Sequence, residues 1–193
     1  MDLILASTSP YRRELLERLG IPFRCVAPLV DEEKLKADMA GATPQELAEA
    51  LASLKAFSVA QVEPDAVVIG GDQLVFFEGS ILGKPGTVER AIEQLRAMSG
   101  RSHELITAVQ VICSGQFFPH TDVTTLRLRR LTLDEIRRYV GADRPLDCAG
   151  SYKLESRGIA LFERIDSDDH SAIVGLPLIG LTTILRSLGF MIP

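Results

Sequence analysis

The sequence has little of the chemistry typical of nucleic-acid-binding, disulfide-rich or zinc proteins. Acidic residues outnumber basic ones, 26 to 21, so no basic excess points to general binding of nucleic acid or of a membrane surface. The 3 cysteines form no CxxC pair, which argues against a disulfide framework or a zinc site. A reducing compartment, and therefore the cytoplasm, is the expectation.

Long apolar runs and common catalytic motifs are also missing. The longest apolar run, AIVGLPLIGLTTIL, has 14 residues and contains a proline, which is too short for a membrane span. The start, MDLILAS, has an acidic residue where a signal peptide needs basic ones. No HExxH, GxSxG or GxGxxG pattern occurs, so the histidines are expected to be surface or hydrogen-bonded residues.

What the chain does contain is an alternation of short apolar segments and helices with start signals. Strands are predicted near residues 2–6, 66–76, 104–113, 121–129 and 158–163. Helices are predicted to begin near Ser9, Thr43, Thr87, Thr132 and Pro177. Ser9 is followed by proline, and TPQE and TLDE are capping boxes. This pattern predicts one α/β domain, spanning residues 1–193, with a mixed sheet flanked by helices.

The segment ASTSPYRREL places two arginines at a predicted helix start. The first turn of a helix has free N–H groups and the positive end of the dipole, which favour anions. Arg12 and Arg13 oppose that dipole unless an outside anion such as a phosphate binds there. The alternative is that Arg13 pairs with Glu17 and that Arg12 is solvated.

The segment VVIGGDQLVFF places Asp72 between two apolar runs. Gly70 and Gly71 permit unusual backbone geometry and close approach of a ligand. A carboxylate at the end of a buried strand can serve as a general base or a metal ligand. It can equally form a turn.

The segment VDEEK brings three carboxylates together, Asp31, Glu32 and Glu33. Neighbouring carboxylates can hold a divalent cation beside phosphate oxygens. The alternative is an acidic cluster that is simply solvated.

Two lysines remain as candidate phosphate ligands. GSILGKPG fails the Walker pattern, because Gly79 and Gly83 are one residue too close and Pro85 follows Lys84. Lys84 can still meet a phosphate as a point charge. Lys55 lies beside the apolar stripe of its predicted helix, where it either snorkels to solvent or points into a polar cleft.

Taken together and in order, these segments resemble the Maf family of nucleoside triphosphate pyrophosphatases over nearly the whole chain. The resemblance rests on LILASTSPYRRELL, VDE, LASLKA, GGDQ, GKP, MSGRSHELIT, DCAGSYKLES and VGLP. One departure is Ala108, where many members carry glycine. We expect its effect to be minor.

The resemblance implies the fold and the reaction. The fold would be the Maf/ITPase-like one: a two-lobed α/β domain with a long twisted mixed sheet flanked by helices and a central cleft. The reaction would hydrolyse a nucleoside triphosphate between its α- and β-phosphates, releasing pyrophosphate, with a divalent cation such as Mg, Mn or Co. Members are often dimers, so a homodimer is a further expectation.

The resemblance also assigns roles to individual residues. The catalytic acid–base position falls on Asp72, either as general base or as metal ligand. The early carboxylate of the family falls on Glu32, which with Asp72 would hold the metal. The phosphate-binding positions fall on Ser7, Arg12, Arg13, Lys55 and Lys84.

Three positions suggest the base that is recognised. Members acting on thymidine and uridine triphosphates typically read SPRR, ADT and AYGIQG, whereas this chain reads SPYRR, GDQ and SYKLES. Tyr11, Gln73 and Glu155 therefore resemble the branch that hydrolyses 7-methyl-GTP. A cationic methylated guanine suits an aromatic face at Tyr11, and Glu155 can accept from the N1–H and N2–H donors of guanine.

Two alternatives remain open at this point. One is a Maf-type pyrophosphatase for dTTP, UTP, CTP or other non-standard nucleotides. The other is a nucleotide-binding regulator of cell division with little turnover. In each case the expected partner is a nucleoside triphosphate, with neither nucleic acid nor a membrane.

Overall fold

Seven strands form one mixed sheet in the computed structural model, which describes residues 1–193. The strands are β1 Leu3–Ala6, β2 Arg24–Cys25, β3 Val67–Phe77, β4 Ser80–Leu82, β5 Ser102–Cys113, β6 Gln116–Leu128 and β7 Phe162–Asp166. Their order is β2-β1-β3-β5-β6-β7, with β4 paired to β3. β1 is parallel to both β2 and β3, whereas β4 on β3 and β7 on β6 are antiparallel.

Seven α-helices accompany the sheet. They are α1 Pro10–Glu17, α2 Glu32–Asp38, α3 Pro44–Ala60, α4 Val88–Met98, α5 Leu133–Asp143, α6 His170–Val174 and α7 Leu178–Ser187. Ser9 caps α1 with proline at the first helical position, and Thr43 and Thr132 form complete capping boxes. The predicted α/β architecture, a mixed sheet flanked by helices, is confirmed.

Four short elements were not predicted, and one predicted strand is displaced. β2, β4, α2 and α6 have two to seven residues each, too few for a periodic pattern to develop. Residues 158–163 were expected to form a strand, but Arg157–Leu161 is a 3-10 helix and the strand begins at Phe162. Gly158 leaves no room for a side chain in this turn, because an added Cβ there would lie 2.2 Å from the Lys153 carbonyl oxygen.

The chain divides into two compact units. The first comprises Met1–Gln73, Thr107–Asp122 and Asp169–Pro193. The second comprises Leu74–Ile106 and Val123–Asp168. Strands β3, β5 and β6 therefore contribute residues to both units.

The core of the first unit has two layers, because side chains alternate across the sheet. Leu3 and Leu5 of β1 pack in one cluster with residues of α1 and α7. Ile4 and Ala6 face the other way, in a cluster with residues of α3 such as Ala56. Burying side chains on both faces explains why β1 reads as a continuous apolar run.

The second unit is built around α4 and α5, which pack against each other. β7 pairs with β6 through a register shift between Arg127 and Leu128. A tight turn at Glu78 and Gly79, both with positive φ, joins β3 to β4 and suits the twist of a hairpin. Considering the whole chain, no helix has both the length and the apolar character needed to cross a membrane.

Candidate active site

Three charged side chains meet in the first unit. The Lys55 Nζ lies 2.6 Å from Asp72 Oδ1 and 3.0 Å from Glu32 Oε1. The side chains of Lys55 and Asp72 are only 9% and 10% exposed, against 40% for Glu32. Lys55 therefore does not snorkel to solvent. A lysine this deeply buried needs paired carboxylates to offset its desolvation.

Gly70 allows this approach of helix to strand. A Cβ on Gly70 would lie 2.3 Å from the Ala52 carbonyl oxygen and 2.5 Å from the Ala56 nitrogen. The backbone of α3 therefore packs directly on β3 at Gly70. Lys55 lies in the same turn of α3 and reaches Asp72, two residues further along β3. Gly70 and Gly71 do not have positive φ, so the contribution of Gly70 is close packing rather than unusual backbone geometry.

Asp72 lies inside β3 and does not form a turn. The strand continues without a break from Val67 to Phe77. Asp72 is 7% exposed and accepts a hydrogen bond from Lys55. A carboxylate in this buried position is available as a proton acceptor or a ligand rather than as a local turn former.

Arg12 is held beside the same carboxylates. Its Nε donates to the Gly175 carbonyl oxygen at 3.1 Å, and a Cβ on Gly71 would lie 3.6 Å from that nitrogen. Burial lowers the pKa of Arg12, while the negative charges of Asp72 and Glu32 act in the opposite direction. Arginine stays charged in proteins, so the site contains a fixed cation that is not merely solvated.

The start of α1 is organised by serine hydroxyls. Ser7 is buried and its Oγ accepts from the Ser9 nitrogen at 3.1 Å, while Ser9 Oγ accepts from the Arg12 nitrogen at 3.4 Å. The Ser7 hydroxyl keeps its own hydrogen for donation. Tyr11 is half-buried in the same turn.

Arg13 takes the alternative position recognised in the sequence. Its Nε lies 3.0 Å from Glu17 Oε1, and its side chain is 65% exposed. An exposed pair of this kind contributes little to stability, so it would yield readily to a phosphate. The phosphate-binding role of Arg13 stays a prediction.

Gln73 is anchored through its amide nitrogen. The Nε2 donates to the carbonyl oxygens of Ala172 and Ile173 and to the Thr107 hydroxyl, at 2.9, 3.2 and 2.9 Å. Only the amide nitrogen can donate to carbonyls, which fixes the orientation of the side chain. Its oxygen is then the atom that could recognise a ligand.

The acidic segment around Glu32 divides by role. Asp31 is the N-cap of α2 and accepts from the Lys34 nitrogen at 2.9 Å, while Glu33 pairs with Lys36 at 2.7 Å. Glu32 alone contacts the buried lysine. The three carboxylates therefore do not form one cluster, and no group of three or more metal-ligating side chains is present.

Lys84 and Glu155 belong to the second unit and are both exposed. The segment that carries Glu155 is held within that unit by three hydrogen bonds. Ser151 Oγ donates to Gln94 Oε1 at 2.5 Å, the Lys153 nitrogen donates to the Tyr139 hydroxyl at 2.9 Å, and the Tyr152 hydroxyl lies 2.9 Å from His103 Nε2.

The carbonyl groups that orient Arg12 and Gln73 could not be found from the sequence. They belong to α6 and to Gly175 immediately after it, and carbonyl oxygens carry no residue-type signal. The sequence indicated only the VGLP motif. In the structure its Gly175 has a φ of +134°, a backbone conformation that other residues rarely adopt.

Comparison with known proteins places this site in context. A family model described as Maf-like protein matches residues 2–188. The 7-methyl-GTP pyrophosphatase of Bdellovibrio bacteriovorus is 55% identical over 186 residues, covering 96% of each chain. The 7-methyl-GTP pyrophosphatase of Xanthomonas axonopodis pv. citri is 50% identical over 191 residues, covering 99% of this chain and 98% of that one.

A solved structure provides a comparison of fold alone. The structure of the Staphylococcus aureus Ham1 protein matches with a TM-score of 0.52 and 14% sequence identity, covering 96% of this chain and 100% of that chain. At this identity the likeness extends to the fold and not to the reaction.

Proposed function

The chain belongs to the Maf family, and from that premise we propose that it hydrolyses 7-methyl-GTP between the α- and β-phosphates. The products are 7-methyl-GMP and pyrophosphate. Relatives at 50% identity or more that carry the name 7-methyl-GTP pyrophosphatase support this substrate.

The observation that carries the proposal is the buried pair of Lys55 and Asp72, with the partly exposed Glu32 on the same ammonium group and Arg12 beside them. It combines a proton acceptor with cations, as attack of water on a phosphoanhydride requires. A triphosphate carries about four negative charges, and cations that neutralise them stabilise the loose transition state.

Each polar or charged residue of the site has its own role in the proposed reaction. Asp72 accepts the proton of the attacking water, or would hold a metal that lowers the pKa of that water. Arg12 and Lys55 balance charge on the phosphate oxygens, and Ser7 donates its hydroxyl hydrogen to one of them. Arg13 and Lys84 are proposed as further phosphate ligands, to which their exposed side chains are accessible.

A divalent cation suits the donor set at Asp72 and Glu32. Both offer carboxylate oxygens to the same ammonium group, and oxygen is what Mg and Mn prefer. With two carboxylates and no third candidate, further ligands would be phosphate oxygens and water, as is usual for Mg. When bound, the cation would withdraw charge from the phosphates and lower the pKa of a water ligand.

The base is proposed to be read by Tyr11, Gln73 and Glu155. Tyr11 offers a ring face to the cationic methylated guanine. Glu155 accepts from its N1–H and N2–H groups, and a pyrimidine would instead present carbonyl oxygens to this carboxylate. The Gln73 oxygen remains as an acceptor because its nitrogen is already engaged.

A substrate panel tests the proposal. Pyrophosphate release is measured with 7-methyl-GTP, GTP, UTP and dTTP, each with Mg, Mn or Co and with EDTA. The expected result is metal-dependent turnover that is fastest for 7-methyl-GTP. Preference for UTP or dTTP would instead assign the chain to the pyrimidine branch, and no turnover with any of the four would favour a regulator.

Three further properties stand as proposals. The two compact units are inferred to act as one domain over residues 1–193, and the protein is inferred to form a homodimer. A cytoplasmic location agrees with the free state of Cys25, Cys113 and Cys148. Light scattering and fractionation would check assembly and location.

A further inference from the structure

One buried carboxylate that no catalytic role requires connects the two helices at the end of the first unit. Asp169 is 5% exposed. Its Oδ1 accepts from the nitrogen and the hydroxyl of Ser171, at 2.9 and 2.5 Å, and its Oδ2 accepts from the Ile179 nitrogen at 2.7 Å. The same side chain thus caps α6 and the first turn of α7.

The second helix has no cap of its own. The residue at its N-cap position is Pro177, which makes no side-chain hydrogen bond. The Leu178 nitrogen instead donates to Ser171 Oγ at 2.8 Å, and Ile179 relies on Asp169. Because the first N–H groups of a helix need acceptors, Asp169 and Ser171 together fix how α7 follows α6.

The connection between these helices carries the oxygens that orient two proposed site residues. Ala172 and Ile173 present their carbonyls to Gln73 Nε2, and Gly175 presents its carbonyl to Arg12 Nε. The Thr107 hydroxyl also donates to Ala172, at 3.0 Å. The three carbonyl oxygens belong to the four residues 172–175, which lie between the two helix starts that Asp169 and Ser171 hold.

We propose that Asp169 is a positioning residue for substrate recognition: by capping α6 and α7 together it sets the carbonyl groups that aim Arg12 at the phosphates and Gln73 at the base. This inference rests on the function proposed above. Asp169 does not itself touch substrate. It acts through the backbone carbonyl groups of residues 172, 173 and 175. These groups keep a single orientation only as long as the starts of both helices are held in place.

Asp169→Asn is the sharpest variant because it conserves shape. An asparagine has one acceptor oxygen, so its NH₂ group must face either the Ile179 nitrogen or the Ser171 nitrogen, both of which are donors. One cap is lost whichever way the amide turns. Thr132→Ala is the matched control: it removes a cap from α5, at a site that holds none of these carbonyls.

The first measurement is kinetic. Small misplacements of binding groups can reduce rates by about 100-fold. Asp169→Asn is therefore expected to raise KM and to reduce the kcat/KM ratio of 7-methyl-GTP over UTP by about tenfold. Thr132→Ala is expected to lower the melting temperature and leave that ratio unchanged. If Asp169 has only a structural role, both variants will contain less active enzyme, while KM and the kcat/KM ratio of that enzyme stay as in the wild type. That result overturns the inference.

The second measurement does not depend on turnover. The side-chain N–H resonances of Arg12 and Gln73 are expected to shift in Asp169→Asn and to stay in place in Thr132→Ala. Unchanged resonances would refute the positioning role even if the enzyme proves active on another nucleotide. If the wild type hydrolyses nothing but the resonances shift, the proposed function fails while the connection from Asp169 to Arg12 and Gln73 stands.

Should Asp169→Asn fail to fold, Ser171→Ala serves in its place. It removes the acceptor of the Leu178 nitrogen and one donor to Asp169, while Ile179 keeps its acceptor. The same two measurements apply, with smaller shifts in the same direction. Absence of any shift would contradict the inference.

Discussion

The Lys55 ammonium donates to Asp72 across 2.6 Å, from the middle of a helix to the middle of a strand. Both side chains are almost fully buried. The pair brings charge into a region where isolated charges are costly, and the nearby Glu32 and Arg12 complete a group of two cations and two carboxylates.

Removing the carboxylate of Asp72 is expected to stop the chemistry and spare the fold. Asp72→Asn should lower kcat by about 100-fold to 10,000-fold, the usual contribution of a general base. Lys55 keeps its contact with Glu32 in this variant, so the structure should persist by circular dichroism. Asp31→Asn is the control, because an amide also caps α2. Wild-type turnover in Asp72→Asn would remove Asp72 from the mechanism.

Removing the lysine should cost more stability than removing its partner. Lys55→Met leaves the Asp72 carboxylate buried without its cation, and breaking a buried pair in this way costs about 3–5 kcal/mol. Urea unfolding of Lys55→Met and Asp72→Asn measures the difference. Equal losses would mean that Arg12 compensates for the missing lysine.

The same variant tests the metal site without an activity assay. Lys55→Met leaves two carboxylates facing each other with no ammonium between them, so added Mg should stabilise it more than the wild type through linkage to binding. Thermal denaturation with MgCl₂, against NaCl at matched ionic strength, reports the shift. An identical shift in both proteins would count against metal binding by Glu32 and Asp72.

Gly70 should tolerate no side chain. In Gly70→Ala the new Cβ would meet backbone atoms of α3 at 2.3 and 2.5 Å, which must push the helix away and carry Lys55 from Asp72. Overpacking of this kind costs about 1–3 kcal/mol. We therefore expect Gly70→Ala to lose about 2 kcal/mol or more of unfolding free energy and to have a lower kcat. Gly141→Ala is the control, since nothing lies within 4 Å of its Cβ and alanine favours a helix. If Gly70→Ala and Gly141→Ala have the same unfolding free energy and the same kcat, the close packing at Gly70 is contradicted.

His103 should make stability depend on pH. Burial lowers its pKa from 6.5 to about 4, so the unfolded chain binds a proton in the window between these values and the folded chain does not. Stability is complete above pH 6.5 and falls as pH decreases toward 4, by up to about 3 kcal/mol. His103→Gln should flatten this window in urea titrations, whereas His170→Gln, at an exposed position, should not. If the unfolding free energy of His103→Gln depends on pH with the same slope as that of the wild type, other groups cause the dependence.

Glu155 should discriminate guanine from pyrimidine bases. Glu155→Gln weakens a charge-assisted pair worth about 1.5–3 kcal/mol per bond, so kcat/KM for 7-methyl-GTP should fall about tenfold or more while that for UTP changes little. Glu163→Gln, on β7, provides an exposed carboxylate as control. Equal losses for both nucleotides would point to a general defect rather than to base reading.

The sequence by itself determined the elements whose signals are local. Capping residues placed the starts of α1, α3 and α5, and two apolar runs placed the strands β1 and β3. The family, and with it Asp72, Lys55, Arg12 and Glu32 as candidates, followed from ordered motifs. These features depend on neighbouring residues, which the sequence displays directly.

Tertiary structure decided which candidates act on one another. That Lys55 meets Asp72 depends on the missing side chain of Gly70, and that Arg12 turns inward while Arg13 pairs with Glu17 depends on a carbonyl 163 residues away in the chain. The role of Asp169 was invisible for the same reason. Hydrogen bonds to backbone atoms and the closeness of two surfaces are properties of the folded arrangement, and no residue type records them.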